Sequence, residues 1–246
     1  MEISPFYRLK ILVIGNIHCG KSSLVHLLHH DEHLKKIEPT IGMGFAATQF
    51  ELEEYPLSNP SKLPKYYHDA KKDFVSDLER NNQLVKAQVW DCAGDRRFEK
   101  ILDVYMRDID ICFLVFDLTN RESWDEIPKW KDRVQSFSKH DSLPMFVLVG
   151  TKSDLKDHQI SVEEMKERSE FWGIKYYILS AIQDSSASML RRMMYMSVQN
   201  YHDMLLLLAH ENKPLPPHVT TAKISRKSSY IDLNVDGENP SCCSIS

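Results

Sequence analysis

The chain has 246 residues, of which 42% are hydrophobic and 27% are charged, and its formal net charge is −4. This length predicts one folded domain at residues 6–210, followed by a flexible tail at residues 211–246. The balance of charges excludes the strongly basic face of nucleic-acid-binding proteins, so no nucleic acid is expected as a partner.

The five cysteines indicate a reducing compartment, because they are scattered rather than arranged as a disulfide framework. The N-terminus shows no apolar stretch with a cleavage site, and the longest apolar run, at residues 204–209, is too short to span a bilayer. We therefore expect a cytosolic chain, unless a lipid attaches it to a membrane.

A strand, a glycine loop and a helix are predicted at the start of the domain. Residues 9–14 are an apolar run broken only by Lys10, and a helical pattern begins at Lys21. Further strands are predicted at residues 42–52, 85–90, 111–116, 145–149 and 175–179, and further helices at residues 98–107, 123–137, 162–172 and 186–210. This alternation predicts an α/β fold with a mainly parallel sheet, which binds ligands at the carboxyl ends of its strands.

One segment, residues 53–86, interrupts the alternation. It opens with three prolines and then shows apolar residues at helical spacing, which are Tyr67, Ala70, Phe74 and Leu78. We interpret it as an inserted loop that holds one short helix. Two roles are open for it, a solvated surface excursion and an element that docks a partner.

The motif Gly-x-x-x-x-Gly-Lys-Ser occupies residues 15–22, between the first strand and the first helix. There, backbone N–H groups and the helix N-terminus favour a phosphate, Lys21 is expected to reach the β- and γ-phosphates, and Ser22 to bind Mg²⁺. A glycine turn that only happens to precede a lysine is the disfavoured alternative. The candidate nucleotide contacts are Gly15, His18, Cys19, Gly20, Lys21, Ser22 and Ser23.

Two further motifs follow predicted strands and so lie at the same edge of the sheet. In the first, Asp91 is expected to hold Mg²⁺ through a water, and the amide of Gly94 to meet the γ-phosphate. In the second, Thr-Lys-Ser-Asp at residues 151–154, the Asp154 carboxylate accepts from both the ring N–H and the exocyclic amine of guanine, whereas adenine leaves that charge unpaired. Guanine is therefore predicted to be selected. The candidate base contacts are Thr151, Lys152, Asp154, Ser180 and Ala181.

Together with Thr40, these motifs resemble the Ras superfamily of small GTPases, and within it the Rab family is the most similar. The Rab likeness is carried by residues 41–45, 86–91, 97–98, 105–107 and 114–123, and it extends over about residues 6 to 205 apart from the insertion. It implies a P-loop NTPase small G-protein domain, with a six-stranded, mainly parallel sheet flanked by helices, that binds GTP or GDP with Mg²⁺ and converts GTP to GDP and phosphate.

The resemblance also implies two switch segments, around Thr40 and at residues 91–107. Thr40 would bind Mg²⁺ and the γ-phosphate in the GTP state, which makes Ser22, Thr40 and Asp91 the metal set, and both segments would relax after hydrolysis. Effectors would bind one state preferentially, while an exchange factor and a GTPase-activating protein set the populations. We expect a monomer that acts as a switch in vesicle and membrane traffic.

Two departures from the family pattern lead us to expect slow hydrolysis; the residues assigned to the reaction are Lys21, Thr40, Gly94 and Asp95. The family has Gln after Asp-x-x-Gly to orient the attacking water, but Asp95 places a carboxylate beside the phosphate and donates no amide hydrogen bond. Ile17 replaces a small residue and crowds both the water and any arginine finger. The alternative is family drift that is compensated elsewhere. Asp95 and Ile17 also favour a rival function, which is a nucleotide-stabilised, non-cycling scaffold that docks through residues 53–86. Thr40 and Gly94 favour a working switch.

Three more departures lie around the base. His33 stands where the family often has an aromatic residue, Thr151 replaces Asn as in Rho-type members, and Ile182 stands where a lysine usually stacks on the ring. We expect weaker affinity or faster GDP release, while Lys152 and Asp154 preserve the specificity.

Cys242 and Cys243 resemble the geranylgeranylation sites of Rab proteins, and the last four residues also match a prenylation box. In both interpretations Cys243 carries a lipid and Cys242 is a second candidate. The alternative is that both are unmodified surface cysteines. With a prenyl group, the protein is expected at the cytoplasmic face of an intracellular membrane, with a cytosolic pool.

Overall fold

The computed structural model describes residues 7–30, 40–52, 83–138, 144–183 and 185–210. Its strands are β1 (Tyr7–Ile14), β2 (Met43–Leu52), β3 (Gln83–Cys92), β4 (Ile111–Asp117), β5 (Met145–Thr151) and β6 (Lys175–Ile178). They form a 6-stranded sheet in the order β2-β3-β1-β4-β5-β6, and every pairing is parallel except that of β2 with β3. The predicted sheet is confirmed.

Helices cover both faces of this sheet because its buried strands are apolar on both sides. Along β1, Ile11 and Val13 belong to one buried cluster, and Leu12 and Ile14 belong to another. The helices are α1 (Lys21–His30), α2 (Glu99–Leu102), α3 (Arg121–Asp125), α4 (Ile127–Phe137), α5 (Val162–Trp172) and α6 (Ser186–His210). The first cluster includes residues of α1 and α6, and the second includes residues of α2, α3, α4 and α5.

The long last helix, α6, has the predicted bounds and buries the predicted stripe, in which the buried side chains are Leu190, Met193, Met194, Ser197, Tyr201 and Leu205. A buried carboxylate ties this helix to the sheet. Asp110 accepts one hydrogen bond from the Tyr201 hydroxyl and another from the backbone N–H of Lys10, at 2.7 Å. None of the described helices is long and apolar enough to cross a bilayer.

Two of the predicted helices are not continuous. Residues 98–107 contain only the single turn of α2, flanked by 3-10 turns at Arg96–Phe98 and Asp103–Met106. The first turn is closed by the N–H of Phe98, which donates to the carbonyl of Asp95 at 3.0 Å. Residues 123–137 divide into α3 and α4 at Glu126, because Pro128 has no N–H and its ring crowds the preceding turn.

The sheet also takes in part of the predicted insertion. β3 begins at Gln83, opposite Leu52 of β2, so residues 83–86 belong to a strand. The alternation of buried Val85, Ala87 and Val89 with less buried neighbours explains this, since it has the period of a strand. The helix predicted within residues 53–82 and the tail at residues 211–246 lie outside the described residues.

Candidate functional site

A single cavity of about 380 Å³ gathers most of the predicted site residues at the carboxyl ends of the parallel strands. The predicted residues that line it are Ile17, His18, Gly20, Lys21, Ser22, Ser23, Thr40, Gly94, Asp95, Thr151, Lys152, Asp154, Ala181 and Ile182. Gly15, Cys19, Asp91 and Ser180 lie behind this lining, and His33 lies outside the described residues. Sequence reasoning missed Cys92 and Leu155, which also line the cavity.

The loop at residues 15–20, which we call the phosphate-facing loop, needs its two glycines for different reasons. Gly15 has a φ of 152° and passes so close to β4 that a Cβ would lie 1.9 Å from the carbonyl oxygen of Val115. Gly20 has a φ of 82°, in the left-handed region that favours glycine, immediately before α1 begins. The loop therefore presents its backbone N–H groups and the first turn of α1 to the cavity.

Lys21 is buried at the start of α1, and its ammonium group donates to the carbonyl oxygen of Asn16 at 2.6 Å. Burial lowers the pKa of Lys21, although the nearby Asp91 carboxylate acts in the opposite direction. An incompletely solvated cation at this position is an attractive partner for a phosphate group.

Cys19 is buried, and burial raises the pKa of its thiol, so the side chain is neither reactive nor directed to a ligand. Its backbone makes the contact that shapes the loop, because the carbonyl oxygen of Cys19 lies 2.7 Å from the hydroxyl of Thr151. The same hydroxyl lies 2.9 Å from the carbonyl oxygen of Phe116. Thr151, at the end of β5, thus joins the loop at residues 15–20 to the neighbouring strand β4.

Three oxygen-bearing side chains converge beside Lys21. The hydroxyls of Ser22 and Thr40 are 2.5 Å apart, and the Thr40 hydroxyl lies 3.4 Å from Oδ2 of Asp91. The other carboxylate oxygen of Asp91 is buried and has no hydrogen-bond partner among the described residues. Burial raises the pKa of this group despite hydrogen bonding from Ser22 and the charge of Lys21.

These oxygens fit Mg²⁺. A buried carboxylate oxygen without a partner is unfavourable by itself, and a hard divalent cation that prefers oxygen ligands is the natural compensation. Ser22, Thr40 and Asp91 are the residues that would hold the ion, which would neutralise phosphate charge at this end of the cavity.

Gly94 lies directly against the phosphate-facing loop. A Cβ at this residue would be 2.3 Å from the carbonyl carbon of Asn16 and 2.4 Å from the nitrogen of Ile17, so only glycine fits. The side chain of Ile17, which is 40% exposed, lines the cavity beside this contact.

Asp95 forms an ion pair that the sequence did not predict. Its Oδ2 accepts from Nε of Arg97 at 2.9 Å and from the terminal guanidinium nitrogen at 2.6 Å, and Oδ1 accepts from the Arg97 backbone N–H at 2.9 Å. Hydrogen bonds from the Arg97 side chain and backbone lower the pKa of Asp95, which therefore stays ionised. The carboxylate that the sequence placed beside the phosphate is thus paired with a cation.

At the other end of the cavity, the ammonium group of Lys152 lies 2.5 Å from the carboxylate of Asp117. Burial acts to raise the pKa of Asp117, but hydrogen bonds from Lys152 and Thr119 outweigh it, and the pKa is lowered. Sequence reasoning missed Asp117, although its position at the carboxyl end of the buried strand β4 was a usable signal.

The carboxylate of Asp154 has no such partner. Within the described residues, no hydrogen bond or ion pair engages it, and the side chain is half-buried at the cavity wall. Leu155 and Ile182 supply apolar surface close by, and Ile182 is 64% exposed. The turn before it is held by the Ser180 hydroxyl, which accepts from the N–H of Ile182 at 3.2 Å.

The cavity therefore has two chemically distinct ends. One combines a buried lysine, a helix N-terminus and a set of oxygen ligands, which suits a phosphorylated group with Mg²⁺. The other combines apolar side chains with the Asp154 carboxylate, which no described residue binds, and this suits a flat base with two N–H donors.

Comparisons with known proteins agree with this geometry. The model of one protein family, described as the Ras family, matches residues 10–59 and 62–200. Ras-related protein Rab-39A of Mus musculus is 31% identical over 186 residues, which are 74% of this chain and 73% of that protein. Ras-related protein RABA5a of Arabidopsis thaliana is 27% identical over 222 residues, 89% of this chain and 87% of that protein.

Proposed function

The chain belongs to the Ras family, and we propose that it is a Rab-like GDP/GTP switch in intracellular membrane traffic whose intrinsic GTP hydrolysis is slow. The observation that carries this proposal is the cavity, which joins the oxygen ligands beside Lys21 to the carboxylate of Asp154, for which the described residues supply no partner. The similarity of the chain to Rab proteins supports the role in membrane traffic.

In this proposal each end of the cavity has its own task. Lys21 and the backbone N–H groups of residues 15–20 bind the β- and γ-phosphates, and Asp154 accepts from the guanine N–H groups. Thr40 and Gly94 face the γ-phosphate from two different segments, so its loss releases both of them together. Effectors, an exchange factor and a GTPase-activating protein read or set the two states.

Slow hydrolysis follows from what surrounds the γ-phosphate position. The attacking water needs a side chain that orients it, and Asp95 is ionised and occupied by Arg97. Ile17 adds bulk at the cavity wall, next to the peptide against which Gly94 packs. Asp95 thus offers no side-chain amide to the water, and Ile17 reduces the space for an arginine finger supplied by a partner.

The test is single-turnover GTP hydrolysis by the wild-type protein and by the double variant Asp95→Gln, Ile17→Gly. We expect the double variant to be at least about tenfold faster, because it restores an orienting amide and removes the obstruction. Asp157→Asn, an exposed position remote from the γ-phosphate, is the matched control and should leave the rate unchanged. An unchanged rate in the double variant would contradict slow hydrolysis by this mechanism.

The rival function, a GTP-bound scaffold that does not cycle, rests on the same two residues. It predicts that purified protein carries GTP which persists for hours, that the double variant is also inactive, and that removal of the insertion abolishes partner binding without loss of nucleotide. A wild-type protein that slowly converts its GTP to GDP supports the switch instead.

We also propose that Cys242 and Cys243 are prenylated and attach the protein to the cytoplasmic face of an intracellular membrane. Lys223, Arg226 and Lys227 in the same tail add only a weak basic supplement, so both lipids matter for stable attachment. Detergent partitioning of protein made in eukaryotic cells should shift fully to the aqueous phase in the variant Cys242→Ser, Cys243→Ser. Identical partitioning of wild type and variant would argue against the anchor.

A further inference from the structure

Asn16, the second residue of the phosphate-facing loop, makes a side-chain contact that no part of the motif requires. Its Oδ1 accepts a hydrogen bond from the indole N–H of Trp130 at 2.7 Å, across 114 positions of sequence. Trp130 lies on α4 and is only 6% exposed. A buried indole N–H needs an acceptor, and among the described residues the Asn16 side chain supplies it.

The backbone of Asn16 is equally engaged. Its carbonyl oxygen accepts from the ammonium group of Lys21 at 2.6 Å, and its peptide bond to Ile17 is the surface against which Gly94 packs. One residue therefore contacts the phosphate-binding lysine, the switch glycine and a helix outside the site. A displacement of Asn16 would disturb its contacts with all three.

The helix that holds Asn16 is itself anchored firmly. Trp130 belongs to the buried cluster on its face of the sheet, together with Ile127 and Val134 of the same helix. One turn along, Arg133 binds Asp103 of the second switch segment through two guanidinium nitrogens, at 2.6 and 3.2 Å. Helix α4 thus contacts both the phosphate-facing loop and the segment that follows Gly94.

We propose that Trp130 is a positioning residue for the phosphate-facing loop, and that its hydrogen bond to Asn16 sets how long a bound nucleotide stays. The bond holds the loop in its binding shape before the nucleotide arrives, so the loop loses little freedom on binding. The inference rests on the proposed binding of guanine nucleotide, which it extends to a residue outside the nucleotide cavity.

The experiment measures dissociation of a fluorescent GDP analogue, chased with excess GDP in Mg²⁺, alongside thermal unfolding. The variants are Trp130→Phe, Asn16→Ala and the double variant. Phenylalanine keeps the aromatic ring in the buried cluster and removes only the N–H group. Trp172→Phe, in which the indole of another helix loses the same group, is the matched control.

We expect each single variant to release GDP about three- to tenfold faster, the range that corresponds to one net hydrogen bond. The double variant should be no faster than the faster single variant, because both changes remove the same bond. Trp172→Phe should stay within twofold of wild type, whatever it does to the melting temperature.

The inference is overturned if Trp130→Phe lowers the melting temperature and leaves dissociation unchanged, since the role is then only structural. It is also overturned if the effects of the two single variants multiply in the double variant, because they then act independently. If the wild-type protein binds no guanine nucleotide at all, the proposed function fails, and with it the premise of this inference; binding with unaltered dissociation in all variants defeats the inference alone.

Discussion

The phosphate end and the base end of the cavity differ in how much of their structure exists without a ligand. At the phosphate end, Lys21 is held by a backbone carbonyl, and Ser22 and Thr40 contact each other at 2.5 Å. At the base end, Asp154 has no partner within the described chain, and Ile182 is largely exposed. The first end is organised in advance by contacts among its own residues, whereas at the second end Lys152 is paired with Asp117 but the Asp154 carboxylate is left open for a ligand.

This difference separates affinity from specificity. A preorganised, partly buried charge set binds any phosphorylated group strongly and distinguishes poorly between nucleotides. One open carboxylate contributes its full value only when both of its acceptor sites are filled by the correct base. We therefore expect substitutions at the base end to change which nucleotide binds, and changes at the phosphate end to alter how tightly any nucleotide is held.

The largest expected effect is at the base end. Asp154→Asn should weaken GDP binding by about a hundredfold or more, because two charge-assisted hydrogen bonds are lost. Xanthosine diphosphate should bind the variant better than GDP, since the new amide donates to the carbonyl that xanthine has in place of the amine. Calorimetric titration of nucleotide-free protein measures both affinities.

Asp157→Asn is the control, because it makes the same substitution three residues further on at an exposed position. If Asp154→Asn binds neither GDP nor xanthosine diphosphate, the carboxylate supports the fold of this region, and the assignment of the base end is wrong.

A smaller effect, confined to the phosphate end, concerns pH. Burial raises the pKa of Asp91 above its ordinary value of 3.8, so a proton competes with Mg²⁺ at less acidic pH than for an exposed aspartate. On acidification from pH 7 to pH 5, GDP release in Mg²⁺ should therefore accelerate toward the rate measured in EDTA. Release in EDTA should change little over the same range.

Without the metal, acidification has the opposite effect, because it makes the folded chain more stable through Asp91. Because the pKa of Asp91 is raised in the folded state, the folded chain binds this proton more tightly than the unfolded chain. The contribution of Asp91 to the free energy of unfolding therefore falls as the pH rises from 3.8 through the raised pKa. Mg²⁺ should restore that loss, and its effect on the melting temperature should be greater at pH 7 than at pH 5. A metal effect that does not depend on pH would separate Asp91 from the ion.

Much of this arrangement follows from local sequence. The sheet, the bounds of α6 and the three motifs were predictable because hydrophobic period and glycine chemistry are local properties. The break at Glu126 was not inferred, although Pro128 signals it, because the apolar pattern continues across the break.

The contacts that change the chemistry of the site were harder to predict from the sequence. Asp95 and Arg97 are two residues apart, a spacing that faces apart on a helix, and the helix predicted nearby gave no reason to pair them. The turn at residues 96–98 brings the two side chains together. Lys152 with Asp117, and Trp130 with Asn16, join segments whose distance depends on the whole fold. Sequence identified which residue types were present, while the pairings arise from packing.

The β2–β3 hairpin has a geometric consequence for residues 53–82. Its antiparallel register pairs Met43 with Cys92 at the nucleotide end and Leu52 with Gln83 at the opposite end. Ten pairs at about 3.4 Å per residue separate the two ends by roughly 30 Å. The chain therefore leaves the sheet after Leu52 and re-enters it at Gln83, at the edge opposite the cavity, so the ends of any inserted segment are attached far from the candidate phosphate site.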